Sequence, residues 1–361
     1  MTRKILRERA IKFLAQLVQE NHLDAILITD LTNVSYLSGF RGSEGTIIFT
    51  PEKKWFFTDF RYQEQVCKEI SGFRIKIFKN KIKELAKIFS KNRIKRLGIE
   101  PTGMSFQYYR TLKTELNRIN LVPLKKSLSE IRAIKDQDEI EKITKAVKLA
   151  EYALEKALRN FRPGITELDL AAELEFQARK TGAGGFAFDT IIASGPRGAL
   201  PHGKATQKII RKGELVVIDF GVNYLGYYSD LTVTISAGEP TKKAREIYQI
   251  VSDAQNKAIE AIKPGVRAKD IDKIARDYIH AQGFGRFFGH GLGHGIGLAV
   301  HEEPSINPRN DAELKPGMVF TIEPGIYLSG KFGVRIEDDL ILRHNKAVRI
   351  SQSNQPLRIF E

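Results

Sequence analysis

Gly289-His290-Gly291-Leu292-Gly293-His294-Gly295-Ile296-Gly297-Leu298-Ala299-Val300-His301-Glu302 sets three histidines within a dozen residues, spaced mainly by glycine. His290 and His294 stand four apart, as in helical zinc motifs, but those carry Glu after the first histidine and here Gly291 follows. Glycine at alternate positions also opposes a helix. No G-x-G-x-x-G register runs through the stretch, so a dinucleotide fingerprint is excluded. The glycines predict extended or bulged backbone running close to another chain segment. A fourth histidine, His202, lies upstream in Pro201-His202-Gly203, and four acids stand at the ends of strand-like runs: Asp219, Asp230, Glu323 and Glu337.

These acids belong to an internal repeat. Pro163-Gly164, Asp169 and Gly182 recur as Pro264-Gly265, Asp270 and Gly283 at a constant offset of 101 residues. Ala153, Ala157 and Leu158 align with Ala254, Ala258 and Ile259 on the same offset. Gly213 stands six before Asp219, and Gly317 six before Glu323. Leu215-Val216-Val217-Ile218 and Met318-Val319-Phe320-Thr321-Ile322 lead into the first acid of each pair, and Asp230 and Glu337 each open a second strand. The pattern predicts two copies of a helix–helix–hairpin unit related by a pseudo-twofold axis.

An acid alone at a strand end reads as a turn residue, but four converging acids carry too much charge for a metal-free interior. Two divalent cations would balance them, about 3.5–4 Å apart across shared carboxylates, where such pairs activate water. Oxygen-rich ligation with one imidazole suits Mn²⁺, Co²⁺ or Zn²⁺ over a thiolate-type zinc site, and the ligand types do not choose among the three.

At 361 residues the chain is long enough for two domains. A single cysteine, Cys67, excludes an internal disulfide, and Thr2–Glu20 mixes charge into every apolar run, without a signal-peptide core. No run approaches the roughly 18–20 apolar residues of a membrane span. The expectation is a cytoplasmic protein. A formal charge of +15 raises the question of nucleic acid, with Arg74–Arg96 the densest basic segment. Its apolar residues Ile82, Leu85, Ile88 and Phe89 recur at helical spacing, so its lysines are read as a solvated face and no nucleic-acid partner is expected.

Upstream of the repeat, a helix is expected from about residue 4 to 20, then strands at Ala25–Ile28, Gly45–Phe49 and Trp55–Thr58, with 33–40 as loop. One long helix is expected over about 129–160, with the domain boundary just before it. The class is α/β (α+β).

Five blocks resemble the pita-bread metallopeptidases: Ile218-Asp219-Phe220-Gly221, Ser229-Asp230-Leu231-Thr232, the glycine-rich stretch, Thr321-Ile322-Glu323-Pro324-Gly325-Ile326-Tyr327, and Val334-Arg335-Ile336-Glu337-Asp338. Asn33–Phe40 and Phe57–Tyr62 are similar to the creatinase-like N-terminal domain that precedes them in the Xaa-Pro aminopeptidase (aminopeptidase P) and Xaa-Pro dipeptidase (prolidase) branch. The resemblance implies a creatinase-like domain over 1–125 and a pita-bread catalytic domain over 129–361. It implies Asp219 on one metal, His294 and Glu323 on the other, and Asp230 and Glu337 bridging, with Glu323 taking a proton from the attacking water. His202 and His301 would contact the substrate carbonyl, His290 would line the proline pocket, and Arg335 and Tyr327 would support the site. The substrate implied is a peptide with proline second, and the assembly a homodimer.

Within the branch, prolidases that this chain resembles carry an Arg shortly after the His-Glu-x-Pro segment to hold the dipeptide carboxylate. Here His301-Glu302-Glu303-Pro304 is followed by Ser305, which favours the aminopeptidase, with Arg309 the available substitute. The prolidase is the alternative, and a non-catalytic binding module of the same fold is the reading from another class. The intact ligand types argue against the module and against metal-free creatinase, and the long N-terminal region argues against methionine aminopeptidase.

Overall fold

The computed structural model describes residues 8–353 and 355–361. The chain divides into two compact units, Met1–Arg132 and Ala133–Glu361. Among the described residues no helix is long and apolar enough to cross a membrane.

The first unit is built on a mixed six-stranded sheet in the order Arg74–Ile77, Lys54–Thr58, Thr46–Phe49, Ala25–Ile28, Arg96–Ile99, Asn120–Pro123. Ala25–Ile28 is buried along its whole length, which is why it reads as an unbroken apolar run. It pairs antiparallel with Thr46–Phe49 and parallel with Arg96–Ile99. In the basic segment the helix Lys81–Lys91 buries Leu85 and Phe89 and leaves Lys83, Lys87 and Lys91 in solvent, as its periodicity predicts.

One expectation holds as far as the described residues reach, and two are corrected. The first helix runs Glu8–Glu20, and residues 4–7 of the expected helix lie outside the described residues. The segment expected as loop, 33–40, lies largely in the helix Leu31–Ser38. Its N-terminus is capped by the Asp30 carboxylate accepting from the Asn33 N–H, and its C-terminus by Gly39 at φ 78°. The single long helix is two, Leu128–Arg132 and Gln137–Leu158, because Asp136 and Glu139 form a reciprocal capping box that starts the second one afresh. Leu128–Arg132 sits with the first unit, a few residues beyond the expected boundary. Arg132 donates to Asn33 Oδ1 at 2.8 Å, and the Leu128 N–H reaches Glu100 at 3.4 Å.

The second unit realises the repeat. Helices Gln137–Leu158 and Glu167–Lys180, strand Ile191–Ser194 and hairpin Glu214–Phe220/Leu231–Ala237 form the first copy. Helices Lys242–Ala261 and Ala268–Ala281, strand Gly293–Gly295 and hairpin Val319–Ile322/Asp338–Leu342 form the second. The glycines that marked the repeat are matched in conformation. Gly164 and Gly265 have φ 104° and 86°, and Gly213 and Gly317 have 87° and 88°, a region side chains disfavour. Gly164 donates to Ile210 O at 2.8 Å and Gly265 to Leu314 O at 2.9 Å, so both Pro-Gly turns dock the same way. Ala153, Ala157 and Leu158 enter one apolar core, and Ala254, Ala258 and Ile259 the other.

Glu100 in the first unit is buried and held by Asn33 Nδ2 at 3.0 and 3.1 Å. Burial dominates and pushes its carboxyl from 4.5 up to about 7. Between those values the folded state holds a proton that the unfolded chain releases. Its contribution is therefore full below pH 4.5 and lost as pH rises through 7, at most about 3 kcal/mol. Thermal unfolding at pH 5 and pH 8 should show a smaller loss of stability in Glu100→Gln than in the native chain. Equal losses would show that Glu100 does not titrate this way.

Candidate metal centre

Gly293 and Gly295 explain how His294 is presented. A Cβ on Gly293 would lie 2.0 Å from Thr321 O, and one on Gly295 would lie 2.2 Å from Glu303 O. Only bare backbone fits between the two neighbouring strands, and the register shifts between the two glycines. The extended, bulged conformation expected from the glycine pattern is what forms. Helix Ala268–Ala281 fixes the stretch from behind. Arg276 pairs with Asp272 at 2.8 Å and donates to Phe288 O and His290 O, and Asp272 accepts from the Leu292 N–H at 3.1 Å.

The first copy secures its own histidine loop from a different position. The fully buried Glu167 accepts from the Ser194 N–H and hydroxyl, from Arg197, and from the Thr206 N–H and hydroxyl. That carboxylate ties down the loop carrying His202. Neither Glu167 nor the Asp272–Arg276 pair was singled out from the sequence, because an acid early in a helix looks like ordinary capping.

The hairpins bring the four acids together. Asp219 lies opposite Thr232 across the first hairpin, and Thr232 bridges to Glu337 of the second, whose N–H donates to Thr232 O at 3.0 Å. The Thr232 hydroxyl donates to Glu337 Oε2 at 2.7 Å and accepts from Arg335 Nε at 3.1 Å. Arg335 pairs with Asp219 and donates to Tyr327 Oη and Pro201 O, both at 3.0 Å. Tyr327 in turn meets His290 Nε2 at 2.9 Å. Sequence reading missed Thr232, which stands in an apolar strand with nothing to mark it.

His294 Nδ1 faces Gly295 O at 3.2 Å; a carbonyl only accepts, so that nitrogen carries the proton. Nε2 then offers its lone pair toward Glu323 Oε1 at 3.5 Å and Asp230 Oδ2 at 3.6 Å, too far for hydrogen bonds. Burial lowers the His294 pKa to about 4, keeping the ring neutral. Burial, reinforced by neighbouring carboxylates, raises Asp230 and Glu323 well above their usual range and Glu337 to about 8. Burial also raises Asp219, against the opposing charge of Arg335.

A divalent cation fits this donor set. Asp219 Oδ1, Asp230 Oδ1 and Glu337 Oε1 are buried and have no hydrogen-bond partner among the described residues. Buried oxygens are nearly always paired, so three orphans on residues that line one cavity with an imidazole have the character of ligands. The ligand atoms of Asp230, His294 and Glu337 lie within 4.8 Å of one another. Asp219, engaged by Arg335, and Glu323, near His294, flank that triple. His301 stacks near His294 with ring centroids 4.2 Å apart, and His202, His290 and Tyr327 line the same cavity of about 810 Å³. Ser305 and Arg309 do not line it, whereas Arg286 and Phe287 do.

Residues 141–344 match the model of metallopeptidase family M24, and residues 11–134 that of the creatinase/prolidase N-terminal domain. An Xaa-Pro dipeptidase of Pyrococcus horikoshii is 40% identical over 354 residues, spanning 98% of this chain and 99% of the relative. A solved Xaa-Pro dipeptidase from Bacillus anthracis superposes with a TM-score of 0.94 at 40% identity, covering 98% of this chain and 99% of its own. An X-Pro aminopeptidase structure from Thermotoga maritima gives 0.90 at 39% identity, covering 97% and 99%.

Adding Mn²⁺ at a hundred times its Kd should stabilise the metal-stripped native chain by about 2.7 kcal/mol. Glu337→Gln, which removes a ligand charge at constant volume, should abolish most of that rise in thermal scans. An undiminished rise would place the ion elsewhere.

Proposed function

The chain belongs to metallopeptidase family M24, and from that premise we propose that it hydrolyses the Xaa-Pro bond of dipeptides with two divalent cations held by Asp219, Asp230, His294, Glu323 and Glu337. The observation that carries the reading is the set of orphaned, buried carboxylate oxygens of Asp219, Asp230 and Glu337, which share one cavity with His294 and Glu323. When bound, the ions supply Lewis acidity that polarises a peptide carbonyl and lowers the pKa of a water. Mn²⁺, Co²⁺ and Zn²⁺ all suit four carboxylates and one imidazole, and Mn²⁺ is the ion proposed.

The chain's own groups divide the remaining work. Glu323 takes the proton of the attacking water, its carboxylate lying beside His294. His202 and His301, which line the cavity, donate toward the carbonyl oxygen as charge develops there and help pass the proton taken by Glu323 to the proline nitrogen. Arg335 holds Asp219 and Tyr327 in place, and Tyr327 fixes His290 against the proline side. Proline is a tertiary amide without an N–H, so this pocket recognises the ring by shape rather than by a backbone hydrogen bond. The enzyme is further proposed to act as a cytoplasmic homodimer.

Ser305 alone favoured the aminopeptidase. Full-length relatives named Xaa-Pro dipeptidase, together with Ser305 standing outside the cavity and so no longer arguing against that activity, shift the reading to the dipeptidase. The aminopeptidase remains the second reading because the Thermotoga structure named X-Pro aminopeptidase is 39% identical.

After chelation and Mn²⁺ readdition, mass spectrometry should show Ala-Pro cleaved to its two amino acids and Ala-Pro-Ala-Ala left largely intact. Release of alanine from the longer peptide at comparable rate would favour the aminopeptidase. Asp230→Ala and Glu337→Ala should each lower kcat/KM for Ala-Pro by more than about 10³-fold. Near-normal turnover in either variant with metal supplied would sink the assignment of the site.

A further inference from the structure

We propose that Arg286 is the specificity-determining cation that binds the C-terminal carboxylate of the dipeptide. This inference rests on the Xaa-Pro dipeptidase reading and names the group that makes a free carboxylate part of the substrate. A dipeptide is short: fully extended, its two residues span about 7 Å. The cation that recognises its carboxylate must therefore line the same cavity as the acids that face its scissile bond. Arg309 stands outside that cavity, whereas Arg286, solvent-exposed like it, lines the cavity.

Among the described residues, the Lys and Arg side chains lining the cavity are Lys204, Arg286 and Arg335. Arg335 is committed to Asp219, Tyr327, Thr232 and Pro201, and is buried. Lys204 is neutralised by Asp189 at 2.5 Å. Arg286 has no acid within ion-pair distance among the described residues, so its charge is the uncompensated one at the cavity wall.

Its placement is also defined. Arg286 lies in the short 3₁₀ turn Gly285–Phe287, just before the glycine-rich stretch. A Cβ on Gly285 would stand 2.7 Å from the His280 ring, which seats the turn closely on the end of helix Ala268–Ala281. The guanidinium lies over the Phe287 ring, 4.7 Å from its centroid. A planar cation resting on an aromatic face keeps its N–H edge free for a bidentate carboxylate contact. Phe287 packs against the core and lines the cavity with His290, giving the proline ring an apolar wall beside the cation. The acids of the cavity attract the substrate amine and Arg286 attracts its carboxylate, so the zwitterion is held by unlike charges at its two ends.

The test compares kcat/KM for Ala-Pro and for Ala-prolinamide, which lacks the carboxylate charge, in the native chain, Arg286→Gln and Arg286→Lys. The native chain should prefer Ala-Pro. Arg286→Gln should reduce that preference about 10-fold, through KM for Ala-Pro, and Arg286→Lys should restore part of it. An unchanged preference in Arg286→Gln overturns the inference while leaving the dipeptidase reading intact. So does a native chain that cleaves acid and amide equally. A native chain that cleaves neither overturns the dipeptidase reading, and the inference with it.

Discussion

The second unit is organised by the contact between two hairpins that each carry acid. Thr232 of the first accepts the Glu337 N–H at its carbonyl and gives its hydroxyl to the Glu337 carboxylate. That one residue fixes the distance between the copies where four carboxylates meet. Like charges brought so close and so far from water would push the hairpins apart. Arg335 is the permanent cation set among them, and it spans both copies by pairing with Asp219 while touching Thr232 and Tyr327. One guanidinium does not neutralise four acids, so the arrangement leaves a deficit of positive charge. That deficit is the physical reason for a divalent cation here.

Holding such a cluster takes rigid elements outside it. The helix pairs and their apolar cores supply these in each copy, and each copy anchors its histidine loop through a buried acid on its second helix: Glu167 in one, Asp272 in the other. The two anchors are not at equivalent positions. Glu167 holds the His202 loop through a serine, a threonine and an arginine, whereas Asp272 works with Arg276 on the backbone around His290. The repeat thus preserves the need for an anchor and not the residue that meets it.

What the sequence made legible follows the same logic. Strand runs such as Leu215–Ile218 are apolar because they are buried, so their acids stood out at the ends. Gly164, Gly213, Gly265 and Gly317 were legible because a positive φ restricts the choice of residue. The Leu31–Ser38 helix was not, since its short run of β-branched, Asn and Ser residues has little intrinsic helicity and depends on its caps and on burial of Val34 and Leu37. The break at Asp136 was missed although Asp136-x-x-Glu139 is a capping signature, because the apolar periodicity on either side ran on past it. Thr232 and Arg286 carried no local signal at all: what they do depends on what the fold sets opposite them.

The departures from symmetry matter as much as the repeat. Two identical copies would present a peptide with the same wall in both directions, yet a peptide has an amine at one end and a carboxylate at the other. The structure breaks the symmetry at identifiable places. The strand of the second copy carries His294 between two glycines, while its counterpart, Ile191–Ser194, is Ile-Ile-Ala-Ser with no metal-binding side chain. Two residues before Glu337 stands Arg335, whereas two before Asp230 stands Tyr228. The first copy therefore contributes acids and a histidine loop, and the second contributes acids, the His294 imidazole and the internal cation. A cavity assembled from such unequal halves has a polar direction, which is the property a site needs to act on one particular bond of an unsymmetrical chain.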